Sequence, residues 1–274
     1  MDIQKQLLNQ KGFTLVEMSI VLVIIGLILG AVSIGKDLQR DAEYSKIKQK
    51  FVDGWVQSYN LYYKRTGVVL GDNQAQPRLM INGANFNLGA DGGAVPLSGG
   101  VMTGATEPAA ICQGGAGPKM ERAADATVTM HALFDRAGIR MPPGRAEGLE
   151  DRYLYLDTNG NPQEVQVCFQ WNKPTEVAGS GNVMVLTGLT PDLARALDQM
   201  IDGKADAGEG MFRQQEIGDA YTGSQAAGLD WQANNAMPEN NANIANNPDD
   251  TTLANRGKDE SQVRTVVAYY QMNQ

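Results

Sequence analysis

Histidine is almost absent: His131 is the single one in 274 residues, and cysteine occurs twice, at Cys112 and Cys168. One imidazole removes most zinc sites and most imidazole-based catalytic constellations. Two thiols exclude a four-cysteine metal site and a disulfide-dense scaffold. Basic residues are the minority, 23 Lys plus Arg against 31 Asp plus Glu, for a formal net charge of −8. Neutralising phosphates needs a basic surface, so no nucleic-acid partner is expected. Residues 114–119 (GGAGPK) are glycine-rich but lack the spacing of a phosphate-binding loop, and no G-x-S-x-G, C-x-x-C or H-E-x-x-H occurs. The sequence implies neither an enzyme nor a cofactor.

Long apolar runs are missing too, with one exception. Residues 13–35 read FTLVEMSIVLVIIGLILGAVSIG and contain a single charge, Glu17. As a helix this stretch spans roughly 34 Å, enough to cross a bilayer core. A secretory signal peptide would follow its apolar region with a small-residue cleavage site, and none is visible here. Instead a polar leader, MDIQKQLLNQKG, precedes the run, which starts abruptly after Gly12. Lys5 and Lys11 before the run and Lys36 and Arg40 after it leave the orientation undecided by positive charge.

The junction Lys11-Gly12-Phe13-Thr14-Leu15-Val16-Glu17 resembles the cleavage and methylation site of class III signal sequences, found in type IV pilins and pseudopilins. The resemblance is close over residues 11–66 and patchy beyond. It implies that prepilin peptidase cuts between Gly12 and Phe13 and that Phe13 is N-methylated. It further implies that Glu17 neutralises the N-terminal amine of a neighbouring subunit during assembly. A carboxylate in hydrocarbon is expensive, so a partner is needed; Glu17 lies one turn from the amine that cleavage creates. The other reading is a carboxylate that snorkels to the interface near the helix start or pairs with its own N-terminus, since negative charge is favourable there. Gly26 and Gly30 form a G-x-x-x-G, which permits close helix contact in membranes. Ile34 lies in the stretch where many major pilins carry a proline.

The helix is predicted to continue past the membrane. Residues 36–65 contain no proline, and Tyr44, Ile47, Phe51, Trp55 and Tyr62 recur on one helical face. A single helix is expected from about Thr14 to Arg65, ended by Gly67, with its aromatic stripe packed on a head domain. In the head, residues 123–138 read as a helix with Leu133, Phe134 and Ala137 facing inward and Gly138 as C-cap. His131 has no visible partner there. Strands are predicted at 152–157, 164–171, 182–187 and 263–272, with a helix at 190–202 that carries Pro191 in its first turn. Asp157-x-Asn159-x-Asn161 fails the calcium-loop pattern, because Gly160 is misplaced, and reads as a hairpin turn. The fold class is therefore α+β: a long N-terminal helix packed on an antiparallel sheet, as in pilin heads. The expected organisation is a cleaved leader (1–12), the long helix (13–66, of which 13–35 is the membrane or filament core) and a globular head (67–274).

A head outside the cytoplasm permits a Cys112–Cys168 disulfide; two buried free thiols are the alternative. Residues 201–210 (IDGKADAGEG) loosely resemble an acidic, glycine-rich loop of some pilin-like heads, making Asp202, Asp206 and Glu209 weak Ca²⁺ candidates beside a solvated turn. Residues 234–247 hold seven Asn among fourteen residues and read as an irregular loop, with an adhesive surface as the alternative. The resemblance implies a structural subunit of a type IV pilus or related filament. It would be anchored in the inner membrane before assembly and lie at the surface or in the periplasm afterwards. Its partners would be further copies of itself, other pilins, prepilin peptidase and the assembly platform. A pseudopilin of a type II secretion system is the alternative, and a monomeric membrane-anchored enzyme or receptor the remote one.

Overall fold

The computed structural model describes residues 14–86, 108–114, 128–174, 176, 178–215, 231 and 265–272. Gly12, Phe13, the first part of the helix expected at 123–138 and the Asn-rich stretch at 234–247 lie outside them. The chain divides into two compact units, the first ending at Glu43 and the second starting at Tyr44. One long helix begins in the first unit as α1 (Leu15–Lys46), passes through a π-helical stretch at Ile47–Val52, and continues as α2 (Asp53–Thr66). Gly67 ends it in the left-handed conformation, at φ 77°, and its N–H donates to the Tyr63 carbonyl.

The π-helical stretch was not anticipated. There the Asp53 N–H reaches back to the carbonyl of Lys48, five residues away. The wider turn shifts the helical phase, so Phe51 and Val52 are both buried beside Ile47. The predicted stripe of Tyr44, Ile47, Phe51, Trp55 and Tyr62 is buried throughout, and Tyr59 joins it. Gly54 lets Pro142 pack against this helix: a Cβ there would lie 2.7 Å from Pro142 Cβ.

The second unit carries a five-stranded antiparallel sheet of β1 (Arg152–Leu156), β2 (Pro162–Asn172), β3 (Gly181–Leu189), β4 (Phe212–Gln214) and β5 (Val266–Gln271). Their order is β1-β2-β3-β5-β4. Side chains alternate between faces, so Val165, Val167, Phe169 and Trp171 of β2 join Met184 and Leu186 of β3 on the core face with α2. Tyr59 stacks on Phe169, with ring centroids 5.4 Å apart. Val183, Val185, Val267 and Tyr269 form a separate buried cluster on the opposite face. The arrangement of long helix and antiparallel sheet is α+β and consistent with a pilin-like fold.

One predicted element needs correction and one strand was not foreseen. The helix at 123–138 is shorter, α3 (Met130–Arg136), because Thr129 caps it by accepting from the Ala132 N–H. The predicted helix at 190–202 is α4 (Pro191–Asp202), capped by Thr190, whose side chain accepts from the Leu193 N–H. After α4, β4 was missed, since three residues carry no readable alternation.

Candidate functional site

The first turn of α1 contains a reciprocal cap. Glu17 Oε2 accepts from the Thr14 N–H at 2.8 Å and from the Thr14 hydroxyl at 2.9 Å. The Glu17 N–H in turn donates to Thr14 Oγ1 at 3.2 Å. Thr-x-x-Glu at a helix start is the capping-box pattern, and it satisfies donors that a helix N-terminus otherwise leaves unpaired. The cap engages Thr14 and is separate from either amine pairing considered for Glu17. The cap was legible in the sequence as Thr14 and Glu17 three positions apart.

Beyond the cap, Leu15, Val16, Leu22, Val23, Leu27, Leu29 and Ile34 are all exposed. The stretch is long and apolar enough to cross a membrane, with a mean hydropathy of 2.7 over its best window and none of that window buried. An exposed apolar surface of this extent has to be covered by lipid or by other helices.

The head places the remaining candidates. Cys112 and Cys168 are joined in a disulfide across 56 residues, with Cα atoms 4.6 Å apart. Ile111 makes an isolated β-bridge to Phe169, so the disulfide and the bridge together hold residues 110–112 along β2. Asp202, Asp206 and Glu209 are engaged by groups of their own loop. Asp202 Oδ2 accepts from the Met211 and Phe212 N–H groups at 2.9 Å each. Lys204 Nζ lies 3.2 Å from Asp206 and 3.4 Å from Glu209, and these two carboxylates hold its ammonium above the usual lysine range. Among the described residues no group of three or more His, Cys, Asp or Glu side chains is placed to hold a metal ion.

His131 does have a neighbour: its Nδ1 lies 3.4 Å from Glu150 Oε2, and the ring is buried. The partner was invisible in sequence because it lies on a distant loop. A fully buried carboxylate escaped notice altogether. Asp198, on α4, accepts from the Asp206 N–H at 2.6 Å and from the Trp231 indole N–H at 2.9 Å. Burial pushes Asp198 up to about 7 in spite of these bonds, and the neighbouring Asp202 carboxylate adds to the rise.

Residues 7–33 match the family model of the prokaryotic N-terminal methylation motif, the class III signal sequence of type IV pilins. No curated protein and no solved structure matches the chain. The matched motif supports a pilin-like or pseudopilin substrate of prepilin peptidase, a structural protein that assembles with other pilins. An apolar N-terminal helix fits membrane anchoring before that assembly.

Proposed function

We propose that this chain is a subunit of a type IV pilus or related surface filament. Prepilin peptidase removes residues 1–12 and leaves N-methyl-Phe13 at the start of the long helix (13–66), ahead of the head (67–274). The observation that carries this reading is the methylation motif over residues 7–33, running into a helix whose apolar side chains are uncovered. Lipid covers those side chains before assembly, and the helices of neighbouring subunits cover them afterwards.

The test is mass spectrometry of the protein isolated from membranes and from sheared surface filaments. The expected N-terminus is N-methyl-Phe13, and replacing Gly12 by a bulky residue is expected to block maturation. An intact leader on assembled protein overturns the processing. Electron microscopy of the same filaments separates a displayed fibre from a pseudopilus confined to a secretion machine.

A further inference from the structure

The two edges of the sheet are finished differently. On the β2 side of β1, Val167 N–H donates to the Asp151 carbonyl and Asp157 N–H to the Asn161 carbonyl. With the register Tyr153↔Val165 and Tyr155↔Gln163, alternation directs the backbone groups of residues 151, 153, 155 and 157 at β2. Those of Arg152, Leu154 and Leu156 therefore point away from the sheet. Arg152 is occupied: its N–H donates to the Leu149 carbonyl and its carbonyl accepts from the Arg145 N–H. Leu154 and Leu156 have no such partner among the described residues, and their side chains are 46% and 53% exposed.

The opposite edge is closed. The bonds Gln271 N–H to Met211 O and Gln215 N–H to Val267 O turn Phe212 and Gln214 of β4 outward. Phe212 N–H is taken by Asp202 Oδ2 and Gln214 N–H by the Ala207 carbonyl. Proteins commonly blunt an exposed edge with charge, proline or a covering loop. The 202–211 loop does so for β4, whereas the outward positions 154 and 156 of β1 carry leucine.

We propose that the open edge of β1 pairs antiparallel with β1 of a second copy of this chain, Leu154 opposite Leu156 of the other copy and Leu156 opposite its Leu154. The occupant follows from self-complementarity. In this register both residues whose backbone groups are unpaired among the described residues meet their counterparts, giving four inter-chain hydrogen bonds. Each leucine faces a leucine on the same face of the extended sheet. The Leu149–Arg152 contacts at one end and the Asp157–Asn161 turn at the other limit the match to this short stretch. With the outward N–H groups of β4 already taken, the head-to-tail alternative of β1 on β4 of the next copy would lack half its hydrogen bonds.

A joint this small does not offset the freedom two free molecules lose on association. It acts where a membrane or a filament already holds copies at high local concentration. Its two-fold symmetry also differs from the screw relation between successive subunits of one helical filament. It therefore joins copies in the membrane or in adjacent filaments.

Full-length Leu154→Cys chain is produced together with differently tagged full-length Leu156→Cys chain, and membranes are treated with a short bismaleimide without reductant. Heterodimers are expected in several-fold excess over those formed when both chains carry Leu61→Cys, an equally exposed position on α2. Adding Leu154→Pro to the Leu156→Cys chain is expected to abolish the excess. A proline whose N would face outward is tolerated on an edge strand but donates nothing. An intact Cys112–Cys168 bond in a non-reducing digest shows that each variant folds. Cross-linking no greater than the Leu61 control, cross-linking that survives Leu154→Pro, or capture of a different protein overturns the pairing. None of these readouts requires that residues 1–12 be removed or that filaments form.

Discussion

The indole N–H of Trp231 donates to Asp198 Oδ2 at 2.9 Å, tying a residue 33 positions away to the buried face of α4. Phe212 lies against the same indole, with ring centroids 5.4 Å apart, and Arg195 donates to the Trp231 carbonyl. The long connection between β4 and β5 is thus anchored at Trp231 by an acid that burial has made weak.

That weakness predicts a pH dependence. Asp198 is raised from its ordinary value to about 7 in the folded head. Between about pH 4 and 7 the folded protein holds a proton that the unfolded chain has released. Stability from this group is fully present at low pH, is lost as pH rises through the window, and levels off above about 7. A rise of this size corresponds to a few kcal/mol, on the order of 1.4 kcal/mol per pH unit. Asp198→Asn keeps an oxygen acceptor for Trp231 and Asp206 and carries no charge. It is expected to raise the melting temperature of the detergent-solubilised full chain at pH 8 and to change it little at pH 4. An equal or larger loss of stability at pH 8 would show that the carboxylate itself is required.

Removing the disulfide is the second prediction. Cys112→Ser with Cys168→Ser frees the 108–114 segment, which is held along β2 by that bond and by the Ile111–Phe169 bridge. For a loop of this length the chain-entropy estimate is about 4 kcal/mol. Limited proteolysis is expected to cut near residues 108–114 in the double variant and not in the wild type. A non-reducing peptide map of the wild type is expected to show Cys112 linked to Cys168.

Much of this architecture was legible from periodicity, and the exceptions share a cause. The buried stripe from Tyr44 to Tyr62 and the alternation in EVQVCFQW are local patterns, and each became the element it predicted. The β4 strand is too short to show a period. Burial of His131 beside Glu150 and of Asp198 beneath Trp231 depends on residues 19 and 33 positions apart, which no window joins. The Thr14–Glu17 cap is different: its signal is local, Thr and Glu three positions apart, and it does not bear on the assembly role expected of Glu17.

Tyr155 supplies the third prediction. Its hydroxyl donates to the Gly188 carbonyl at 2.9 Å and accepts from the Thr190 N–H at 2.8 Å. One group thereby links the irregularity between Leu186 and Leu189 in β3 to the N-cap of α4. Gly188 sits there at φ 77°, and a Cβ would collide with the Glu164 carbonyl. Tyr155→Phe leaves a buried carbonyl and a buried N–H without that partner, costing about 1–3 kcal/mol. Chemical denaturation is expected to show a lower midpoint with an unchanged slope, because the rest of the head still unfolds as before.

The last prediction separates two tasks of Glu17. In the structure it caps its own helix through Thr14; in the proposed filament it also meets the Phe13 amine of a neighbour. Capping needs only an acceptor, and Gln serves at this position of a capping box. Pairing with a cationic amine needs the charge, because an unpaired ion at membrane depth costs a few kcal/mol. Apolar packing of Leu, Ile and Val is non-directional and tolerates many axial offsets, whereas a charge pair between helices tolerates few. Glu17→Gln is therefore expected to insert, to be cleaved after Gly12, and to retain its helical N-terminus. Its filaments are nevertheless expected to be lost or strongly reduced, as in Glu17→Ala, with subunits accumulating in the membrane. The measurement is the ratio of sheared filament to membrane-held subunit in cells without a wild-type copy. If Glu17→Gln assembles normally while Glu17→Ala does not, the cap matters and the charge does not. If both assemble normally, the carboxylate does not set the register between subunits.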